Sequence, residues 1–140
     1  MAHSRIFLAD TSAWHRSGHA AVAAEWRRLL EDDAIATTVP IRLEVLYSAQ
    51  SARDYDAISR ELDALHQLRC DAPALGRALE VQRLLAHSRA LHHRVAIPDL
   101  VIAAVAELNG AVIWHYDRDY ERIAAITGQE SAWIAEPGSL

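Results

Sequence analysis

The sequence predicts an α/β protein, built as a three-layer α/β/α sandwich around a central, mainly parallel sheet. Two observations carry that expectation. Apolar runs such as Ile6 to Ala9 and Ala111 to Trp114 lack the period-two alternation of a half-wet sheet, so they read as strands buried on both faces. Between such runs lie stretches with apolar residues at helical spacing, and strands that alternate with helices build parallel sheets. A third observation concerns function: isolated acids stand at the ends of these elements.

Ile6 to Ala9 is the first strand and ends in Asp10; Thr11 and Ser12 after it are good helix-starting residues. His19 to Glu31 places Val22, Trp26, Leu29 and Leu30 on one helix face, and Asp32-Asp33 closes it. Ala34 to Val39 is β-like. Pro40 suits the first turn of a helix carrying Ile41, Val45, Leu46 and Ala49 in step, with Glu44 one turn in. Ser51 caps a helix from Ala52 to about Leu65, which shows Tyr55, Ile58 and Leu62 at matching intervals. His66 to Asp71 has room for a short strand. Pro73 opens a long helix to His93, in which Leu75, Leu79, Leu84, Leu85 and Leu91 recur.

Pro98 and Asp99 start a helix that is apolar on most of its circumference, which makes it central. Asn109-Gly110 ends it, and Ala111 to Trp114 is the next buried strand. Asp119 to Ile126 forms one more helix, closed by Gly128, and Ser131 to Ala135 suits an edge strand. No linker, repeat or low-complexity stretch divides the chain, so residues 1–140 are expected to form one domain.

Composition excludes several functions. No apolar run approaches the ~20 residues of a membrane helix, and the N-terminus lacks a signal peptide's central region, so a soluble cytoplasmic protein is expected. The lone cysteine, Cys70, forms no internal disulfide and is given no role. All fourteen basic residues are arginine. Without lysine there is no P-loop amine, Schiff base or lysine general base. A net charge of −5 argues against holding nucleic acid by bulk electrostatics, so a polyanionic substrate requires a local Arg patch or a metal.

Ligands of open parallel sheets bind outside the carboxyl ends of the strands. Asp10 follows the first strand and Asp117 the strand at 111–114; Asp99 and Glu44 lie near the starts of helices. If those helices begin at the same edge, four carboxylates converge. Such a cluster repels itself and makes sense around a cation. All four are hard oxygen ligands, which points to Mg²⁺ or Mn²⁺ and to phosphoryl or phosphodiester chemistry. Each acid taken singly also reads as a cap, a turn or a helix-dipole residue.

The words "FLADTSAW" (7–14), "VPIRLEVLYSAQ" (39–50), "IPDLVIAAVAELNGAVIWHYDRDYERIA" (97–124) and "AWIAEPGS" (132–139) occur in an order and spacing that resemble the PIN-domain ribonucleases, and within them the VapC-like toxins of toxin–antitoxin pairs. The resemblance implies a PIN-like fold and a metal-dependent endoribonuclease, a hydrolase that cuts RNA phosphodiester bonds with a Mg-activated water. It implies that Asp10, Glu44, Asp99 and Asp117 are the catalytic acids that bind Mg²⁺ or Mn²⁺, that the Ser12 hydroxyl orients the site, and that Asp119 supports it. It further implies transfer or ribosomal RNA as substrate, a VapB-like antitoxin whose tail fills the acidic groove, and a homodimer. Two departures stand out: His115 replaces a Thr or Ser common in relatives, and Tyr120 stands where Phe is commoner.

Other readings are a small-molecule phosphohydrolase of haloacid-dehalogenase type and a non-catalytic module that holds a basic peptide. The first needs a second Asp two residues after Asp10, where Ser12 stands. A zinc pair at His15 and His19 meets Gly18 between them, and no Glu completes a metalloprotease word. The four tryptophans are expected in the core and at interfaces, and Arg77, Arg83, Arg89 and Arg94 in solvent, with RNA-backbone contacts as the lesser alternative.

Overall fold

The computed structural model describes residues 5–140; the reading of the first four as part of no leader lies outside it. Five strands form one sheet: β1 (Phe7–Ala9), β2 (Ile35–Thr37), β3 (His66–Gln67), β4 (Val112–His115) and β5 (Ser131–Trp133). Their order is β3-β2-β1-β4-β5, and every pairing is parallel. With all strands running one way, their carboxyl ends share one edge. The connections are α1 (Thr11–Trp14), α2 (Ala20–Glu31), α3 (Val39–Tyr47), α4 (Ala52–Asp63), α5 (Ala72–Ser88), α6 (Ile97–Leu108) and α7 (Asp119–Thr127).

The layers follow from strand geometry, since successive side chains point to opposite faces. Leu8, Ala36 and Ile113 enter one core, which the apolar faces of α3 to α7 complete; their neighbours Ala9, Ile35 and Trp114 enter a smaller one with Ala13 of α1 and Leu29 of α2. This is the three-layer sandwich. Helix α6 is central, as its apolar circumference requires: Leu100 and every residue from Ile102 to Ala106 are buried.

Local chemistry sets the boundaries. The His19 ring accepts the Ala21 N–H at 3.2 Å and caps α2. Ser51 accepts the Asp54 N–H at 3.0 Å and caps α4. Gly128 closes α7 with φ at +71°, in the left-handed region where a side chain is strained.

Three expectations need correction. The long helix was expected to reach His93, yet α5 stops at Ser88, whose hydroxyl bonds the Leu85 carbonyl at 2.8 Å; Arg89 is extended and Leu91 is left-handed at φ +64°. The leucine register is also not the buried face. Ala74, Ala78, Val81 and Leu85 are buried, whereas Leu75 and Leu79 are exposed. Small alanines let α5 lie close against α6, and close approach outweighs the larger side chains. Likewise Arg77 is not merely solvated: it bonds Glu107 of α6 at 2.6 Å.

Candidate metal centre

Asp10 leaves β1 and caps α1. Its Oδ2 accepts the Ser12 N–H at 3.1 Å and the Ser12 hydroxyl at 2.7 Å. That hydroxyl also accepts the Tyr116 N–H at 2.9 Å, so one serine ties the mouth of β1 to the mouth of β4. Thr11 donates to Oε1 of Glu44 at 3.0 Å, which brings α3 to the same edge. Past β4 the chain makes a tight turn: the Asp117 N–H donates to Nδ1 of His115 at 3.1 Å, and Oδ1 of Asp117 accepts the Asp119 N–H at 2.9 Å. Oδ2 of Asp119 then accepts the Ala96 N–H at 3.2 Å, joining the starts of α7 and α6.

The five predicted acids and Ser12 thus stand at one rim of the sheet. Asp99, Asp117 and Asp119 form the tightest group, each offering an oxygen within 4.8 Å of the others. Asp10 joins through Tyr120, whose hydroxyl reaches Oδ1 of Asp10 at 2.8 Å and Oδ1 of Asp99 at 3.2 Å. Glu44 is attached through Thr11. Tyr120 and Thr11 are site residues that spacing alone could not assign: the one looks like core and the other like a helix start.

Asp99 is buried, and its Oδ2 has no hydrogen-bond partner among the described residues. Burial first, and then the charges of Asp10, Asp117 and Asp119, push its carboxyl up to about 8, against the smaller pull of the Tyr120 hydroxyl. Glu44 is raised as well, by burial, with the Thr11 bond opposing and Asp10 adding. The Tyr120 phenol is raised well above its usual range by burial and by both aspartates, so it remains a donor. His115 is pushed down to about 4 by burial, against the pull of Asp10, Asp117 and Glu121, and so stays neutral.

A buried carboxylate with a bare oxygen, surrounded by like charges, is costly on its own and is satisfied by a divalent cation. The donor set is all oxygen, which suits a hard ion. Asp99, Asp117 and Asp119 bring their oxygens closest together, and Asp10 and Glu44 stand at the same rim, so each of the five could lend an oxygen to such an ion. Arg16 is tied to the same rim through Ser12: it donates to the Ser12 carbonyl at 2.9 Å, lies 4.6 Å from the Tyr116 ring centroid, and forms no ion pair among the described residues.

Residues 7–126 match the family model described as PIN domain. The chain belongs to the PIN-domain family. Ribonuclease VapC18 of Mycobacterium tuberculosis is 52% identical over 136 residues, covering 96% of this chain and 99% of that one. Ribonuclease VapC51 of the same organism is 40% identical over 134 residues, covering 96% of each. Among solved structures, DNA-bound VapBC from Salmonella typhimurium superposes with a TM-score of 0.76 at 19% identity over 94% of this chain and 99% of that one. That likeness establishes the PIN fold, and the sequence relatives place this PIN domain among VapC ribonucleases.

Proposed function

We propose that residues 1–140 are one domain, a metal-dependent endoribonuclease that acts in the cytoplasm as the toxin of a toxin–antitoxin pair. Asp10, Glu44, Asp99 and Asp117 hold Mg²⁺ or Mn²⁺, Asp119 supports them, and Ser12 orients Asp10. The observation that carries this reading is the bare, buried Oδ2 of Asp99 in the midst of like charges. The ion, when bound, offsets phosphate charge and makes water a better nucleophile.

The chain's own residues do the rest. Ser12 holds Asp10 in one rotation and pins β4 through the Tyr116 N–H. Asp119 fixes the start of α6, and with it Asp99. Arg16, anchored by a carbonyl and an aromatic face, is placed to contact an RNA phosphate near the rim. The relatives are named ribonucleases, which supports RNA as substrate. Structural neighbours include a toxin–antitoxin complex from Klebsiella pneumoniae and a member of the VapBC family of toxin–antitoxin systems, which supports a VapB-like antitoxin as partner. An arginine from such a partner would neutralise the acidic rim and block the phosphate together. A homodimer is supported by the apolar strip of Leu75, Leu79 and Ile97, whose side chains face solvent. No helix among the described residues is long and apolar enough to cross a membrane.

The test is a Mn²⁺ titration of the wild type and Asp99→Asn, with sequencing of RNA 5′ ends after brief induction. Metal binding and new 5′ ends that both vanish in the variant are expected. Cleavage that persists without divalent ions would overturn the reading.

A further inference from the structure

Tyr120 is fully buried in the first turn of α7, and its ring packs on that of His115 with centroids 4.9 Å apart. Its hydroxyl carries a single hydrogen, shared in a three-centre bond between carboxylates on two other elements, at 2.8 Å to Asp10 after β1 and 3.2 Å to Asp99 in α6. The terminal torsion of an aspartate is soft, so a carboxylate rotates unless something holds it. Asp10 is held on both oxygens, by Ser12 on Oδ2 and by Tyr120 on Oδ1. Among the described residues Asp99 is held only by Tyr120; its other oxygen is the bare one. A phenylalanine would fill the same space and leave both Oδ1 atoms without this donor. A charged donor would neutralise the site and compete with a cation; a neutral phenol does neither.

We propose that Tyr120 is a positioning residue of the metal centre: its hydroxyl sets the rotation of Asp10 and Asp99 before an ion arrives, leaving one oxygen of Asp99 free to receive it. This rests on the reading of the acidic rim as a metal site. Tyr120 is not itself a ligand. It acts through the two aspartates, and outer partners of this kind change metal affinity by about 10–100-fold.

The experiment compares full-length wild type, Tyr120→Phe and Asp99→Asn by Mn²⁺ calorimetry and by the Mn²⁺ concentration that gives half-maximal RNA cleavage. Tyr120→Phe is expected to need at least about tenfold more Mn²⁺ in both, with KM for RNA unchanged and much of kcat restored by excess ion. A purely structural role would lower thermal stability and leave the Mn²⁺ midpoint where it was. If Tyr120→Phe is too unstable for calorimetry, the Mn²⁺-dependent rise in the urea midpoint reads the same affinity. Mn²⁺ binding in Tyr120→Phe within twofold of the wild type overturns the proposal while the metal site stands. No Mn²⁺ binding by the wild type overturns both, and Asp99→Asn then matches the wild type.

Discussion

Thr11 donates its hydroxyl to Glu44 at 3.0 Å across 33 residues of sequence, and this bond fastens α3 to the rim. It also opposes the burial that raises the Glu44 carboxyl. Thr11→Val keeps the shape and removes the donor. It should cost about 1 kcal/mol in urea unfolding and weaken Mn²⁺ binding severalfold, because Glu44 is then free to turn away or to take up a proton. Unchanged values for both would show that the bond is incidental.

Asp99 makes metal binding depend on pH. Its carboxyl sits at about 8 against an ordinary 3.8, so the metal-free fold holds this proton more tightly than the unfolded chain does. The stability it contributes is complete below the ordinary value and is lost as pH rises toward 8. A cation must displace that proton. Apparent Mn²⁺ affinity should therefore fall about tenfold per pH unit below about pH 8, with one proton released per ion in calorimetry across buffers. Asp99→Asn should abolish binding and leave the metal-free protein more stable than the wild type at about pH 9. The opposite order of urea midpoints would mean that Asp99 is not under repulsion.

His115 acts in the acid range with the opposite sign. It is lowered from 6.5 to about 4, so its contribution is complete above 6.5 and is lost as pH falls toward 4. Nδ1 accepts the Asp117 N–H, which puts the ring hydrogen on Nε2, a buried atom with no partner among the described residues. His115→Asn keeps an acceptor for Asp117 and removes the titration. The variant should lose about 1–3 kcal/mol at neutral pH through the space it leaves, yet show a flatter decline between about pH 6.5 and pH 4. Urea midpoints across that interval decide it, and parallel curves would count against the assignment.

Arg16 should be felt in RNA binding and not in metal binding. For Arg16→Gln, the plot of log affinity for RNA against log salt should lose about one unit of slope, with Mn²⁺ affinity unchanged. An unaltered slope would show that this guanidinium only braces Tyr116.

Leu79 lies on the exposed apolar strip of α5, 69% accessible, beside Ile97 at 71%. Leu79→Arg should shift the chain from dimer to monomer in sedimentation equilibrium while preserving Leu85 and the core beneath. A wild type that is already monomeric would remove the dimer from the proposal.

Much of this was legible in the sequence, and the exceptions have physical causes. Buried strands announce themselves by unbroken apolar runs, so β1 and β4 were readable to within a residue or two. The acids were readable because the mouths of parallel strands share an edge, and Asp10, Asp99 and Asp117 each adjoin a strong boundary. Periodicity misled at α5, where leucines suggest a core face but Ala74 and Ala78 pack. It reports which residues share a side, not which side meets a neighbour. Tyr120 stood out as a departure from Phe but its role escaped, because a buried aromatic in a first helical turn looks like packing; its hydroxyl acquires meaning only through partners 110 and 21 residues away.

Those separations govern when the centre comes into being during synthesis. Strand β1 pairs with β4, and Ser12 meets Tyr116 across 104 residues, so a nascent chain still waiting for its last third holds Asp10 and Glu44 but neither Asp117 nor Asp119. The rim therefore has all five of its carboxylates only once Asp119 has been added to the chain. Contacts of such long range also close late in folding.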